Sequence, residues 1–368
     1  MNERPWVLVT DGSKRAGGQG RASLAAVRAL GVAGYRPAVT VAGGTSLAAA
    51  SRFCERRVPI PPVTDEGYVA AVRNELAARP YLTCLPASDA ALLALGAPVD
   101  HLVDKTELQR HARAAGIEMP PSRVFSSTEE LLAAAGELDY PLVVKPTVHR
   151  YNPYRVESPE LLTSKMLGEG EVVIQPYLNE PIRVVAGLVW RGELVAAVHQ
   201  RWLRIWKLDC GNAAAAETTA VDPDIEQRLL AMLEGYEGIF NAQFIGPYLL
   251  DIHPRVYGTH PLAVAAGVNL IGAYCDLLSG TRVAPMRARP GAFYRWIEGD
   301  LRHAYAAVRR GRMSPLAALA SLRPRRGTAH STESLGDPGP MLSRLRFGSG
   351  RVHMSEDARR SAGRVPAA

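Results

Sequence analysis

Within the first hundred residues, short apolar runs and helical patterns take turns, and this alternation constrains the fold more than any other feature. Trp6-Val-Leu-Val-Thr10, Pro37-Ala-Val-Thr-Val-Ala42 and Tyr81-Leu-Thr-Cys-Leu85 read as strands bounded by turn residues. Ser23 to Leu30 has helical spacing and stops at Gly31 and Gly34. Asp65 to Ala78 reads as a helix with an acidic first turn, and another helix is expected from Asp89. Strand, helix, strand, helix, strand is the order of a small parallel sheet with helices on its faces. An α/β fold is therefore expected from the N-terminus.

A Gly-rich segment, Gly12-Ser-Lys-Arg-Ala-Gly17-Gly18-Gln-Gly20, lies between the first strand and the first helix. It has neither the GxxxxGK[ST] order nor a clean GxGxxG. Two readings stay open: a loop that meets an anionic substrate group at a helix N-terminus, or a structural turn.

Beyond residue 100 the pattern changes. Lys105 to Ala115 and Ser127 to Gly136 read as helices, the second with a capping-box start. Tyr140-Pro-Leu-Val-Val-Lys145-Pro146 and Glu171-Val-Val-Ile-Gln-Pro-Tyr177 read as buried strands. Arg183 to Trp190 and Glu193 to Gln200 form a hairpin through Arg191-Gly192. A helix follows Asp222, and Asn241 to Ile245 pairs with Tyr248 to Ile252 across Gly246-Pro247. Pro261 to Gly267, Leu270 to Leu278 and Phe293 to Arg310 are expected to be helical, with loop or tail after Phe347.

At about 150 residues per domain, 368 residues make two or three. The expected division is 1–100, an α/β domain; 101–282, a catalytic domain; and 283–368, a basic, helical or irregular, partly disordered extension. From Leu301 onward the chain carries 13 arginines, no lysine and four acidic residues, so the net charge of +7 belongs to this end. Few aromatic residues accompany it, so a solvated extension is expected rather than a nucleic-acid surface. No apolar stretch approaches the roughly 18 residues of a membrane span. The first residues run straight into a strand-like segment, and no signal peptide is expected. Cys54, Cys84, Cys210 and Cys275 are scattered, which suits a reducing cytoplasm and no zinc site.

Lysine is scarce: Lys14, Lys105, Lys145, Lys165 and Lys207 stand among 43 basic residues. Lys145 closes a buried strand, where an ammonium is costly unless an anion meets it. On the last hairpin, Asp251 and His253 fall on one face because strand side chains alternate. Gln243 can join them from the partner strand. A carboxylate, an amide oxygen and one more ligand could hold Mg²⁺ between phosphate oxygens, and Arg255 follows with a planar fork suited to phosphate. Alone, this could equally be an edge hairpin with a polar face.

The order of these segments resembles the ATP-grasp superfamily of carboxylate-amine ligases, in its carbamoyl-phosphate-synthetase-like branch. The resemblance rests on Asp104-Lys105, Pro141-Leu-Val-Val-Lys145-Pro146, Val173-Ile-Gln175-Pro176-Tyr177, Asn241-Ala-Gln243-Phe244 and Asp251-Ile-His253-Pro254-Arg255, and covers about residues 100 to 282. It implies an ATP-grasp fold preceded by the small α/β domain. It also implies ATP and Mg²⁺ as cofactors, small carboxylate and amine substrates, and an amide product released with ADP and phosphate. By that likeness Lys105 and Lys145 contact the phosphates, with Lys145 also near adenine. Gln175 and the backbone of Tyr177 and Leu178 line the adenine pocket, and Glu180 meets the ribose. Gln243, Asp251 and His253 are metal ligands, and Arg255 stabilises the transferred phosphoryl group. In similar ligases the stretch holding Arg201, Arg204 and Lys207 approaches the phosphates and the acceptor carboxylate.

Three alternatives stay open: bicarbonate as the activated acid, another nucleophile, and a nucleotide-binding regulatory protein without turnover. A homodimer is also left open. Two departures keep the last alternative in view. Asp251 and His253 stand where the family has Glu and Asn, so Mn²⁺ enters as a candidate metal, imidazole being a poor Mg²⁺ ligand. The segment Thr147 to Tyr154, where a phosphate-covering loop is usually glycine-rich, has no glycine, and His149, Arg150 and Tyr151 would have to cover the phosphates by side chain.

Overall fold

The computed structural model describes residues 4–10, 20–43, 46–147, 153–163 and 170–348. The Gly-rich segment at 11–19 and the phosphate-loop residues 148–152 fall outside them.

The first unit is a parallel sheet of four strands, β1 (Trp6–Val9), β2 (Arg36–Val41), β3 (Arg56–Pro59) and β4 (Tyr81–Leu85), in the order β3-β2-β1-β4. The helices are α1 (Gly20–Val32), α2 (Tyr68–Ala78) and α3 (Asp89–Ala94). Val7, Leu8 and Val9 lose all contact with solvent, as expected of a central strand covered on both faces. β3 was not expected, because two arginines and a terminal proline mask its pattern; it is an edge strand, where such residues are tolerated. α2 begins at Tyr68 rather than Asp65. The Asp65 carboxylate accepts the Gly67 N–H at 2.8 Å, a local turn that competes with helix. Ser88 caps α3 by accepting the Ala91 N–H.

Two helices lead onward, α4 (Asp100–Val103) and α5 (Lys105–Ala114). Asp104 caps α5, accepting the N–H groups of Thr106 and Glu107 at 2.8 and 3.1 Å. A second, antiparallel sheet follows: β5 (Arg123–Phe125), β6 (Leu142–Pro146), β7 (Tyr154–Val156) and β8 (Val172–Pro176), in the order β5-β8-β6-β7. With α6 (Thr128–Ala133) it encloses its own small core, including Phe125, Leu131, Leu142 and Val144.

The third sheet is the largest. Its strands β9 (Ile182–Trp190), β10 (Glu193–Trp206), β11 (Asn212–Thr218), β12 (Gly238–Ile245) and β13 (Tyr248–His253) are antiparallel neighbours in the order β13-β12-β9-β10-β11. Arg191 and Gly192, both at positive φ, make the turn between β9 and β10, a geometry that suits the right-handed twist of a hairpin. The helices here are α7 (Pro223–Met232), α8 (His260–Ala265) and α9 (Leu270–Leu278).

Residues 286–348, part of the region expected as a basic extension, are built into the large sheet. β14 (Met286–Arg287) pairs with β10, β15 (Phe293–Arg295) with β11, and β16 (Ala329–His330) with β15, so the large sheet continues through this region. Phe293 to Arg295 was expected as helix. All three of its side chains are buried, and only the following segment, α10 (Ile297–Arg309), is helical. The remaining helices are α11 (Pro315–Ser321) and α12 (Gly339–Gly348).

Candidate active site

The hairpin β12–β13 and the end of β6 bring the expected site residues together. Register pairs Gln243 with Asp251 and Asn241 with His253, so all four share one face of the hairpin. Lys105, the first residue of α5, is 8% exposed and places its Nζ 2.6 Å from Asp251 Oδ1. A cation at a helix N-terminus opposes the helix dipole, and Asp251 offsets that cost. The backbone N–H of Lys105 donates to the Thr147 carbonyl at 3.2 Å, tying α5 to the end of β6.

Lys145 is 7% exposed, with its Nζ 3.4 Å from the carbonyl oxygen of Leu250. Burial and then the charge of Lys105 lower its ammonium to about 8, although Asp251 and Cys210 partly oppose them. Burial alone would raise the Asp251 carboxyl, but Lys105, His253 and Lys145 hold it down at about 2. The site is therefore two ammonium groups around one ionised carboxylate, between the second sheet and the hairpin. His253 Nε2 lies 4.0 Å from Asp251 Oδ2.

Arg255 is held on the far side of His253. Its Nε and Nη2 donate to the two oxygens of Asp89, at 2.6 and 2.9 Å, and its Nη2 is 3.4 Å from His253 Nδ1. Asp89 comes from α3 of the first unit and is 3% exposed. Burial would raise its carboxyl, but Arg255 and His253 hold it well below the usual carboxylate range. Nothing in the sequence pointed to Asp89, because it stands 166 residues from its partner. The one available signal was its place directly after a helix cap.

The expected adenine edge lies on β8 and just beyond it. Gln175 is buried, and its amide donates to the Ser122 hydroxyl at 2.8 Å rather than pointing outward. The Tyr177 N–H donates to the Pro141 carbonyl, and its ring lies 4.2 Å beneath the Arg155 guanidinium. Leu178 is half-buried and Glu180 exposed, the latter beside Gly246 in the hairpin turn.

The stretch from the end of β10 into the turn after it divides. Arg204 was expected near the phosphates, but its fork grips Asp300 of α10, a carboxylate with no exposure. It clasps β10 to α10 instead. Arg201 pairs with Glu217 on the neighbouring strand. Lys207 is exposed and takes part in no ion pair among the described residues. Next to it, a Cβ at Gly211 would fall 2.0 Å from the Lys207 backbone nitrogen, so only glycine allows this turn. The turn presents Cys210 near Lys145, and Asp209, which is bound by Arg155, Arg310 and Arg312 at 3.4, 2.8 and 2.5 Å. Two arginines of the basic C-terminal region thus reach the same corner as Tyr177.

No family model matches the chain. Among curated proteins it is similar to the carbamoyl phosphate synthase large chain of Neisseria gonorrhoeae, 26% identical over 200 residues, which are 48% of this chain and 19% of that one. The corresponding large chain of Haemophilus ducreyi is 24% identical over 216 residues, 52% of this chain and 20% of that one. The match thus spans about a fifth of the length of these relatives. Among solved structures, N5-carboxyaminoimidazole synthetase from Staphylococcus aureus, complexed with ADP, superposes with a TM-score of 0.59 at 15% identity, covering 78% of this chain and 80% of that one. L-amino acid ligase from Bacillus licheniformis gives 0.57 at 15%, covering 80% and 79%. At such identity the likeness is one of fold.

Proposed function

We propose that the chain is an ATP-grasp enzyme and an ATP-dependent ligase, a reading supported by its similarity to carbamoyl phosphate synthase large chains and by the fold it shares with N5-carboxyaminoimidazole synthetase and L-amino acid ligase. It activates a carboxylate as an acyl phosphate and joins it to an amine, releasing ADP and phosphate. The observation that carries this reading is Lys145, a buried ammonium with no carboxylate bonded to it among the described residues, beside the Lys105–Asp251 pair. Three phosphates are the anion such a cleft lacks.

In this reading Lys145 and Lys105 bind the phosphate tail, and Tyr177 and Leu178 offer backbone groups to the base. Glu180 is assigned to the ribose, and Gln175 supports the edge through Ser122. Phosphate oxygens offer Lys105 an alternative to Asp251, which frees the carboxylate. Mg²⁺ is commonly held by one or two carboxylates together with substrate phosphates. One ionised carboxylate at Asp251, with His253 and Gln243 on the same face, fits a cation shared in that way. Magnesium would supply charge neutralisation between the phosphates, and the imidazole leaves Mn²⁺ as an alternative. Arg255, fixed by Asp89, is assigned to the transferred phosphoryl group, and Lys207 to the acceptor side. Catalysis of this kind is mostly positioning and charge stabilisation.

Bicarbonate in place of an organic acid is the second reading, favoured by the similarity to carbamoyl phosphate synthase large chains. No helix among the described residues is long and apolar enough to cross a membrane. ADP release across a panel of acid and amine pairs, with bicarbonate included, tests the proposal. Nucleotide binding without release in any combination would leave a binding protein without turnover. No nucleotide binding would remove the reading altogether.

A further inference from the structure

Four cations are buried among the described residues: Arg21, Lys105, Lys145 and Arg295. Arg295 lies 3.0 Å from Asp300, and Lys105 lies 2.6 Å from Asp251. Neither of the other two forms an ion pair with a described carboxylate. Lys145 sits in the cleft assigned to the nucleotide. Arg21 belongs to a different place, and a buried guanidinium without a counter-ion is costly until an anion meets it.

Arg21 is the second residue of α1 and 3% exposed. Its guanidinium lies 3.9 Å over the Trp296 ring. One terminal nitrogen donates to the Ala213 carbonyl at 3.4 Å and to the Tyr294 hydroxyl at 3.2 Å, both long contacts. Its Nε is buried without a partner among the described residues, and so are the indole N–H of Trp296 and the hydroxyl of Tyr257. Gly258 joins these groups. The Tyr294 hydroxyl donates to its carbonyl at 3.4 Å, and a Cβ there would stand 3.6 Å from the Arg21 Cβ. A buried donor nearly always has an acceptor, and here the Arg21 Nε and the N–H of the indole stacked on it both lack one among the described residues, as does the Tyr257 hydroxyl of the residue next to Gly258.

We propose that Arg21 and Trp296 bind an oxyanion, a carboxylate or a phosphate, carried by the non-nucleotide substrate. Gly258 follows Arg255 by three residues, a stretch of at most about 11 Å. The anchor therefore neighbours the segment assigned to phosphoryl transfer, close enough for a small acid to be held at one place and activated at another. That the anion belongs to a substrate rests on the ligase reading; that Arg21 and Trp296 bind an anion does not.

The test is thermal stabilisation by inorganic phosphate and, separately, by malonate, with chloride as control, in the protein alone and again with saturating MgADP. At least one of the two anions should stabilise the wild type in both conditions, and the stronger one identifies the preferred group. Arg21→Gln should weaken that response at least tenfold in apparent affinity, while binding of a fluorescent ADP analogue changes less than twofold. Lys145→Ala should do the reverse. Should Arg21→Gln not fold, Trp296→Phe keeps the cation and removes one donor, and it should weaken the anion response at least threefold. The proposal is overturned if neither anion stabilises the wild type, if either variant keeps the full response, or if Lys145→Ala abolishes it. ADP release across acids is read separately, so failure of the ligase reading would not be mistaken for failure of the anion site.

Discussion

Asp89 and Arg255 meet fork to fork across 166 residues of sequence, with Nε at 2.6 Å from Oδ1 and Nη2 at 2.9 Å from Oδ2. This geometry carries both charge and direction. It fixes the residue after the hairpin to the first helix beyond β4, so the N-terminal sheet orients a group in the site rather than merely preceding it. His253 Nδ1, at 3.6 Å from Asp89 Oδ1, shares the same anchor.

Removing one partner of a buried pair leaves the other uncompensated, at a cost of about 3–5 kcal/mol. Asp89→Asn keeps the shape and loses the charge, so a loss of about 3 kcal/mol is expected in urea denaturation. The folded carboxyl lies below its unfolded value, so its stabilisation is present above about pH 4 and is lost as the pH falls through the folded value. The wild type should lose stability more steeply on acidification than Asp89→Asn. Equal acid profiles would mean that the pair contributes nothing to folding.

For Lys145 the sign is opposite. Its folded value, about 8, lies below the ordinary lysine value of 10.5. Between the two the unfolded chain holds the proton and the folded one does not, so this group makes stability rise with pH across that window. Phosphate prefers the charged ammonium. Affinity for a fluorescent ADP analogue should therefore fall as the pH rises above about 8. Lys145→Ala should bind roughly 1.5–3 kcal/mol more weakly, the scale of a charge-assisted hydrogen bond, and should flatten that pH dependence. Unchanged affinity in a folded Lys145→Ala protein would remove this lysine from the nucleotide site.

What the sequence made legible is what neighbouring residues decide. The parallel order around β1 follows from apolar runs alternating with helical spacing. The facing of Gln243 and Asp251 follows from the two-residue period of a strand and a short turn between β12 and β13. Other features depend on distant partners. Arg204 looks like a free cation until Asp300 is found beneath it. Gln175 looks like an outward amide until Ser122 takes its N–H. Phe293 to Arg295 resembles the start of the helix that follows, and only pairing with β11 makes it a strand. Asp89 and Arg21 leave no periodic trace, because each acts through residues far along the chain.

Asp251 now holds Lys105, and in the proposed function it serves a cation as well. These two partners predict opposite effects in one variant. Asp251→Asn frees Lys105, so ADP binding without metal should hold or strengthen. Turnover should fall by orders of magnitude, since metal-assisted charge stabilisation is worth several kcal/mol. His253→Asn replaces imidazole by an oxygen ligand, so ADP release with Mg²⁺ should persist or rise and any preference for Mn²⁺ should fall. Full turnover in Asp251→Asn would move the metal elsewhere. A folded His253→Asn protein that is inactive with both metals would give His253 a role of its own.

The C-terminal region gives the last prediction, because its residues divide sharply by what they touch. Asp337 is 2% exposed and accepts three hydrogen bonds from the first unit: Arg28 Nε at 2.8 Å, the Ser51 hydroxyl at 2.7 Å and the Arg52 N–H at 2.8 Å. Burial would raise its carboxyl, yet these donors hold it below the usual value. The carboxylate thus pins 331–348 against α1 and the turn before β3, on the side of α1 where Arg28 also donates to the Ser331 and Thr332 carbonyls. Truncation after Gly348 removes none of these contacts and should leave both thermal stability and nucleotide affinity unchanged. Asp337→Ala leaves a half-buried guanidinium, a hydroxyl and a backbone N–H without their shared acceptor. Unsatisfied donors cost about 1–3 kcal/mol each, and water can reach part of this site, so a loss of about 3 kcal/mol is expected in urea denaturation. Nucleotide affinity of the folded fraction should stay within twofold of wild type, because Asp337 touches none of the residues around Lys145. A truncation after Gly348 that loses nucleotide binding while remaining soluble would show that 349–368 closes the site. An Asp337→Ala protein as stable as wild type would show that the clasp is incidental.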